Sequence, residues 1–404
     1  MSAATETKNT TQAKPKWVRT LNVRESGLII ALIGIIVLFQ ILTGGRLLVP
    51  DNLASLIQQN AYVMILAIGM MLVIIAGHID LSVGSTVAMI GGVFGVATMS
   101  WHMNWMLAVV LCLVVGLIVG AWQGFWVAYV GIPAFIVTLA SMMIFRGFAQ
   151  LLVGQTISGF SSSFIQIGNG AVPNILGFTN TPAIGYLEGI TLLLGVAAIV
   201  SFVLTQLRAR RLRRAHDLEV SPAGMFWARI IFVSLIIAFF TFLLANSTGG
   251  FPIILGIVGV LVLAFGWLLG QTPFGRNIYA VGGNYKAAAL SGVNAKAVTF
   301  NVFVIAGVLA SIAGIVVTSR AGAAVANAGQ GYELDAIAAC FIGGAAVTGG
   351  VGKISGAMIG ALIMGVLNIG LSILAVDPAW QQAIKGIVLL GAVAFDLVNK
   401  KRAA

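Results

Sequence analysis

Charge is scarce in this chain: Asp, Glu, Lys and Arg make up 8% of its 404 residues, against about a quarter in a typical soluble domain. That shortage removes most soluble-enzyme readings. Cysteine is rarer still. Cys112 and Cys340 both lie inside apolar stretches, so no disulfide is expected, and three widely separated histidines leave too few ligands for a metal site. HExxH, GxSxG and Cys/His metal patterns are missing, which leaves a membrane hydrolase nothing to work with and no catalytic residue to nominate. The near-match to a phosphate-binding loop, GGVGKIS at 349–355, fails twice. Val347 stands where the first glycine belongs, and Ile354 where Ser or Thr is required. No ATPase resides in this chain.

What the chain has instead is apolar length. Segments at about 27–43, 54–76, 82–100, 105–129, 134–153, 185–207, 225–245, 251–270, 298–319, 335–350, 356–375 and 380–398 approach the roughly 20 residues that cross a bilayer. The expected fold is an all-α polytopic membrane protein of about 10–12 transmembrane helices, some of them broken or re-entrant. Treating each segment as a crossing puts 17 of the 22 basic residues on one side. They fall in residues 1–26, the loop 208–224, the loop 271–297, the turn at Lys353 and the C-terminus. Only Arg46 and Arg320 fall on the other side, while Arg146, Arg229 and Lys385 lie within or at the ends of spans. The positive-inside rule then predicts a multi-pass protein with both termini in the cytoplasm. The organisation expected is a tail at 1–26, one transmembrane domain at 27–398 and a tail at 399–404. An uncleaved tail fits better than a signal peptide, because 26 largely polar residues precede the first apolar run. The cluster RARRLRR at 208–214 reads as an orientation signal touching anionic lipid; nucleic-acid binding is not expected without aromatic interleaving.

The 50 glycines allow close helix approach where hydrophobicity cannot drive association. Residues 335–350, DAIAACFIGGAAVTGG, make a helix of roughly 24 Å, short of the roughly 30 Å hydrocarbon core. A broken helix is tolerated in a membrane only where protein or a cavity shields its backbone. The stretch 78–92 has a similar look, and Ile90-Gly91-Gly92 echoes Ile342-Gly343-Gly344, as paired interrupted helices of a transport pathway would.

Three stretches carry candidate chemistry. In GHIDLSVGST (77–86), Asp80 is either a helix cap with Ser82 in the first turn, or a group facing a polar cavity with Ser82 and Ser85. In GQGYELDAIAACFIGG (329–344), Glu333 and Asp335 again fit helix capping, or with Tyr332 they supply a ring and acceptors for sugar hydroxyls at an external mouth. In QTPFGRNIYAVGGNYKAAALSGVNAKA (271–297), Asn284 predicts a cap, Tyr285–Ser291 a short alanine-rich helix and Gly292 its stop. A short helix with a small-residue surface needs a partner groove to be stable; the alternative is an interfacial helix resting on lipid.

GHIDLSVGS at 77–85, TPFGRNIYAVGGNYKAAALSGVN at 272–294 and GYELDAIAACFIGGAAVTGGVGKISGAMIGALIMGVLNIGL at 331–371 closely resemble the permease subunit of bacterial monosaccharide ABC importers of the ribose and xylose type. The resemblance runs from about residue 50 onward. The extra length in the N-terminal tail and around 200–250 looks more like xylose-type and multiple-sugar permeases. It implies an inner-membrane homodimer, two copies of a cytoplasmic ATPase that binds ATP and Mg, and a periplasmic sugar-binding protein, with no cofactor in this chain. It also implies that the loop 271–297, including Gly275, Arg276, Gly283, Asn284, Ala287, Ala288, Ala289 and Gly292, docks on the ATPase. His78 departs from the commoner glycine of that motif. Rival readings are import of a nucleoside or signalling furanose, and an ion-coupled secondary carrier using Asp80, Glu333 and Asp335.

Overall fold

A computed structural model describes residues 23–181, 185–218 and 220–403. The expected N-terminal tail lies outside these up to residue 22, as do the side chains of the C-terminal basic residues. The helices are α1 (Val23–Leu42), α2 (Pro50–Ile75), α3 (Val83–Gly95), α4 (Trp105–Phe125), α5 (Ala134–Val153), α6 (Ser162–Asn169), α7 (Gly189–Ala215), α8 (Ala223–Ala245), α9 (Ile253–Gln271), α10 (Pro273–Gly283), α11 (Tyr285–Leu290), α12 (Ala295–Ala321), α13 (Tyr332–Ile342), α14 (Ile354–Ile373) and α15 (Pro378–Ala403). π-helical turns at Val96–Ser100 and Trp126–Val130 prolong α3 and α4. Four short strands, β1 (Ile157–Ser158), β2 (Phe178–Thr181), β3 (Gly185–Glu188) and β4 (Ala323–Ala324), form two antiparallel pairs, β1 with β4 and β2 with β3.

Among the described residues, nine helices are long and apolar enough to cross a membrane. Each of the twelve apolar segments of the sequence contains a helix, although in 335–350 the helix ends at Ile342 and 185–207 begins with a short strand. Their starts follow capping chemistry: Pro50 and Pro273 occupy first-turn positions, where a missing N–H costs nothing. Asn104 and Glu188 accept hydrogen bonds from the first backbone N–H groups of α4 and α7.

The connections sort to two ends. At one end, the Gly350 N–H donates to the Ile75 carbonyl at 2.8 Å, and the Tyr279 hydroxyl to the Gly352 carbonyl at 2.7 Å. The turn after α2, the α10–α11 loop and the turn after α13 therefore meet. At the other end, Asp51 accepts from the Thr248 N–H and hydroxyl, both at 2.9 Å, and the Asn169 amide donates to the Arg320 carbonyl at 2.8 Å. The centre is α2 and α12. Gly120 of α4 approaches Gly307 of α12 so closely that a side-chain carbon on Gly307 would lie 2.7 Å from the Gly120 Cα, as small residues permit in membrane bundles.

Two crossings are broken in the middle. α3 runs parallel to α12, with Gly314 on Val87 and Ile90 and Gly91 on Thr318. Carrying that register back at 1.5 Å per residue sets Val83 opposite about Ala310, halfway along α12. Residues 76–82 thus climb from the basic end to mid-bundle without forming a helix. α13 begins at Tyr332, which stacks on Tyr62 at the midpoint of α2 with ring centroids 3.7 Å apart. Its other end, Gly343, packs on Gly356 in the first turn of α14, so the loop 322–331 descends from the opposite end. The expected interruption is therefore present, but the Ile-Gly-Gly echo does not mark it. That triplet lies inside α3 and at the end of α13; the features that correspond are the two helix N-termini.

Candidate translocation site and docking helices

The N-termini of α3 and α13 meet head to head. Gly84 lies on the Gly329 backbone and beside the Glu333 carboxylate, with no room for a side-chain carbon on either glycine. Gly329 also has φ +72°, a conformation that favours glycine. Two positive helix ends thus converge on one buried point. Acids surround it: Asp80 just upstream of α3, and Glu333 and Asp335 in the first turn of α13.

On the α3 side, Asp80 is buried and its Oδ1 accepts from the Ser82 N–H at 2.8 Å and the Ser82 hydroxyl at 2.7 Å. The cap position is taken by Ser82, not by Asp80, which closes an Asx turn from two residues upstream. The Ser82 oxygen in turn accepts a hydrogen bond from the Gln123 amide of α4. Ser85 Oγ and Gln123 Oε1 are buried and have no hydrogen-bond partner among the described residues. A polar surface with spare bonding capacity therefore lies beside the helix ends.

The α13 side is more fully paired, although the buried Asp335 Oδ1 meets Lys385 only as an ion pair and makes no hydrogen bond among the described residues. Asp335, 2% exposed, accepts from the Tyr62 hydroxyl at 2.9 Å and is ion-paired with Lys385 of α15 at 3.1 Å. Glu333 and Asp335 lie in the first turn of α13, where a carboxylate suits the helix dipole. Arg146 of α5 donates to the carbonyls of Ala328 at 2.7 Å and Ala326 at 3.1 Å, fixing the descending loop. Tyr332 and Asp335 stand at mid-bundle, deeper than an external mouth, because that loop carries them inward. Asp80, Ser82, Ser85, Tyr332, Glu333 and Asp335 thus gather around one helix-end contact. Gln123, Tyr62, Arg146 and Lys385 complete it. Gln123 was visible in the sequence as a lone amide in an apolar run; the other three needed the fold.

At the basic end the loop 271–297 holds two helices, not one. α10 is opened by Thr272, whose Oγ1 accepts from the Gly275 N–H at 3.1 Å, and Gly275 packs against the backbone of Leu268 and Leu269. Asn284 caps α11 by accepting from the Ala287 N–H at 2.9 Å, and Gly292 at φ +86° lies just beyond its end. Ala287 and Ala289 face outward with Arg276, Gly283 and Asn284, while Ala288 is buried. Leu290, 91% exposed, is an outward apolar residue beside them that the sequence reading passed over.

The end of α10 rests on a glycine joint. A side-chain carbon on Gly349 (φ +78°) would fall 2.9 Å from both the Gly282 carbonyl and the Gly77 Cα, and one on Gly350 (φ +72°) 2.8 Å from the Gly283 Cα. The loop 271–297 therefore touches the start of the climb to Asp80 and the turn that follows α13. The near-match GGVGKIS is part of this joint, which explains its glycines without a nucleotide.

Comparison with known proteins agrees with this architecture. The family described as "Branched-chain amino acid transport system / permease component" matches residues 52–393. The chain is 39% identical over 386 residues to the xylose transport system permease protein of Haemophilus influenzae, covering 95% of this chain and 99% of that one. It is equally similar, 39% over 95% of this chain and 94% of the other, to the xylose permease of Escherichia coli K12. To the ribose import permease protein of E. coli K12 it is 34% identical over 87% of each chain. No solved structure matches. The chain is an all-α polytopic membrane protein and belongs to this family of transport-system permease components.

Proposed function

We propose that this chain is the membrane-spanning permease subunit of an ATP-driven importer of monosaccharides, xylose-like sugars first among them. The similarity to xylose and ribose permeases supports the solute class. The observation that carries the mechanism is the glycine joint, where α10, which leads directly into α11, bears on the segments anchoring both broken helices. A partner that moves the docking loop would move the opposed N-termini of α3 and α13 together. Sugar hydroxyls would meet Ser85 and Gln123 as donors to their spare oxygens, with the Tyr62–Tyr332 stack as an apolar wall. Affinity at such a site is kept modest, since a tight site would hold what it must release.

In this reading two copies of the chain sit in the bacterial inner membrane, both termini cytoplasmic and basic loops against anionic lipid. Each docks a cytoplasmic ATPase, which binds ATP and Mg, and together they receive sugar from a periplasmic binding protein. Among the rivals, a nucleoside or another furanose would use the same machinery. An ion-coupled carrier is disfavoured, because the Asp335 charge is balanced by Lys385 and the Asp80 carboxylate is already engaged by the Ser82 N–H and hydroxyl.

Ala289→Arg tests the docking role, since Ala289 is exposed whereas Ala288 is needed inside the bundle. In proteoliposomes holding all subunits, sugar uptake should fall at least tenfold while thermal stability stays within about 0.5 kcal/mol, as for other surface changes. Normal uptake by that variant, or uptake by the chain without any ATPase, would refute the proposal.

A further inference from the structure

A second site lies at the basic end, away from the helix-end cluster. A cavity of about 320 Å³ opens between the end of α4, the start of α11 and the first turns of α12. This is the lower end of the range for small-molecule pockets. His78, Tyr129, Gly131, Tyr285, Lys296 and Thr299 line it. Its chemistry is one-sided: the lining includes a lysine and no carboxylate, with an imidazole, two phenols and a hydroxyl as hydrogen-bonding groups.

Two observations point to an anion. Thr299 is 2% exposed, and its hydroxyl has no hydrogen-bond partner among the described residues. A buried hydroxyl left unbonded is costly, so one that lines a cavity is a donor waiting for an acceptor. Independently, Lys296 and Thr299 belong to the first turns of a 27-residue helix, where the dipole adds partial positive charge to that of the lysine. The depth is also informative. Tyr129 is half exposed on α4, one turn beyond the exposed Trp122 and Phe125, and such an aromatic band marks headgroup level in a membrane helix.

We propose that this cavity binds a phosphate mono- or diester, the group shared by anionic phospholipid headgroups and small soluble phosphate esters. Lys296 supplies the charge, and Thr299 and Tyr285 donate hydrogen bonds. Because Tyr285 is the first residue of α11, an occupant ties the docking helix to α4 and α12 and holds the docking loop in place.

The test uses the full-length protein, stripped of lipid in an uncharged detergent. Thermal unfolding and native mass spectrometry would follow addition of phosphatidylglycerol, glycerol 3-phosphate, or diacylglycerol of matched chains as the phosphate-free control. The wild type should be stabilised by at least one phosphate compound and not by diacylglycerol, as a ligand that binds only the native state requires. Lys296→Gln and Thr299→Val should each weaken that binding roughly tenfold or more, the loss expected for a charge-assisted or buried hydrogen bond. Thr299→Val is isosteric and Lys296 is exposed, so both variants keep the fold. Stabilisation by phosphatidylglycerol alone supports the site and assigns a lipid. Stabilisation by glycerol 3-phosphate supports it and assigns a soluble ester. Equal retention of phosphatidylglycerol and diacylglycerol, or binding unchanged in both variants, overturns the proposal.

Discussion

The two helix ends that meet at the centre of this bundle are built from similar residues and differ in how fully those residues are paired. Beside α13, Asp335 is claimed by a tyrosine hydroxyl and a lysine. Beside α3, Asp80 holds only its neighbour Ser82, while Ser85 and Gln123 keep unbonded oxygens. An ion pair backed by a tyrosine hydroxyl is a fastening, even though Asp335 Oδ1 makes no hydrogen bond among the described residues, because its charge is balanced within the bundle. An unsaturated polar surface is where a hydroxylated solute gains most, because each bond it makes satisfies a group that is otherwise buried unbonded. If this contact is the pathway proposed above, the α13 end is its anchor and the α3 end its contact surface.

The largest expected effect comes from breaking the anchor. Lys385→Met leaves the Asp335 charge buried and half-partnered and should cost about 3–5 kcal/mol, the usual range for removing one partner of a buried pair. Thermal unfolding in detergent reads it. Adding Asp335→Asn to Lys385→Met should restore much of the loss; a double variant as unstable as the single one would show that pairing is not what Lys385 provides.

Next is the contact between the two ends. Gly329→Ala places a carbon against Gly84 in a left-handed backbone conformation. Overpacking of about 1–3 kcal/mol and a left-handed cost of about 1–2 kcal/mol both apply. Unfolding measurements should therefore show a loss of several kcal/mol, accompanied by loss of transport. Wild-type stability would mean that the two helix ends are not in contact.

How much of this was legible beforehand follows the same division. The crossings could be read because each is a continuous apolar window, and the α11 cap and stop because Asn284 and Gly292 act within a few residues. Nothing local announces that Tyr62 meets Asp335, 273 residues away, or that Lys385 reaches it across 50. Burial was also legible only in reverse. In the α2 window 83% of residues are buried, against 11% in α7, although α7 is the more apolar of the two windows. Lipid selects the most hydrophobic surfaces for the outside, so in this class an apolar run says little about the core. α10 escaped notice for a different reason: its start signal, Thr272 followed by Pro273, sits in a loop whose glycines read as irregular.

On the contact side, Asp80→Asn keeps one acceptor oxygen for the Ser82 N–H and hydroxyl but removes the charge that strengthens both bonds. The expected loss of stability is about 1–2 kcal/mol, in line with bonds to charged groups exceeding neutral ones. Sugar uptake in the assembled transporter should fall more than stability does, because the turn at Ser82 sets the direction of the α3 N-terminus. Equal effects on the two readouts would reduce Asp80 to a structural turn former.

The smallest effect on stability separates the two ends most cleanly. Ser85 Oγ is buried without a partner among the described residues, so Ser85→Ala removes a group left unsatisfied there, and the protein should be unchanged or more stable by up to about 1 kcal/mol. If the α3 end is the contact surface, the same change removes a bond the solute would make, and uptake at low sugar concentration should drop about threefold to tenfold, the worth of one neutral hydrogen bond. Stability and transport would then move in opposite directions. On the ion-paired side, by contrast, Tyr62→Phe should lower both together, since its hydroxyl already belongs to Asp335. Should Ser85→Ala leave uptake at wild-type level, the spare oxygens beside α3 would be idle, and the assignment of anchor and contact surface would have to be reversed or abandoned.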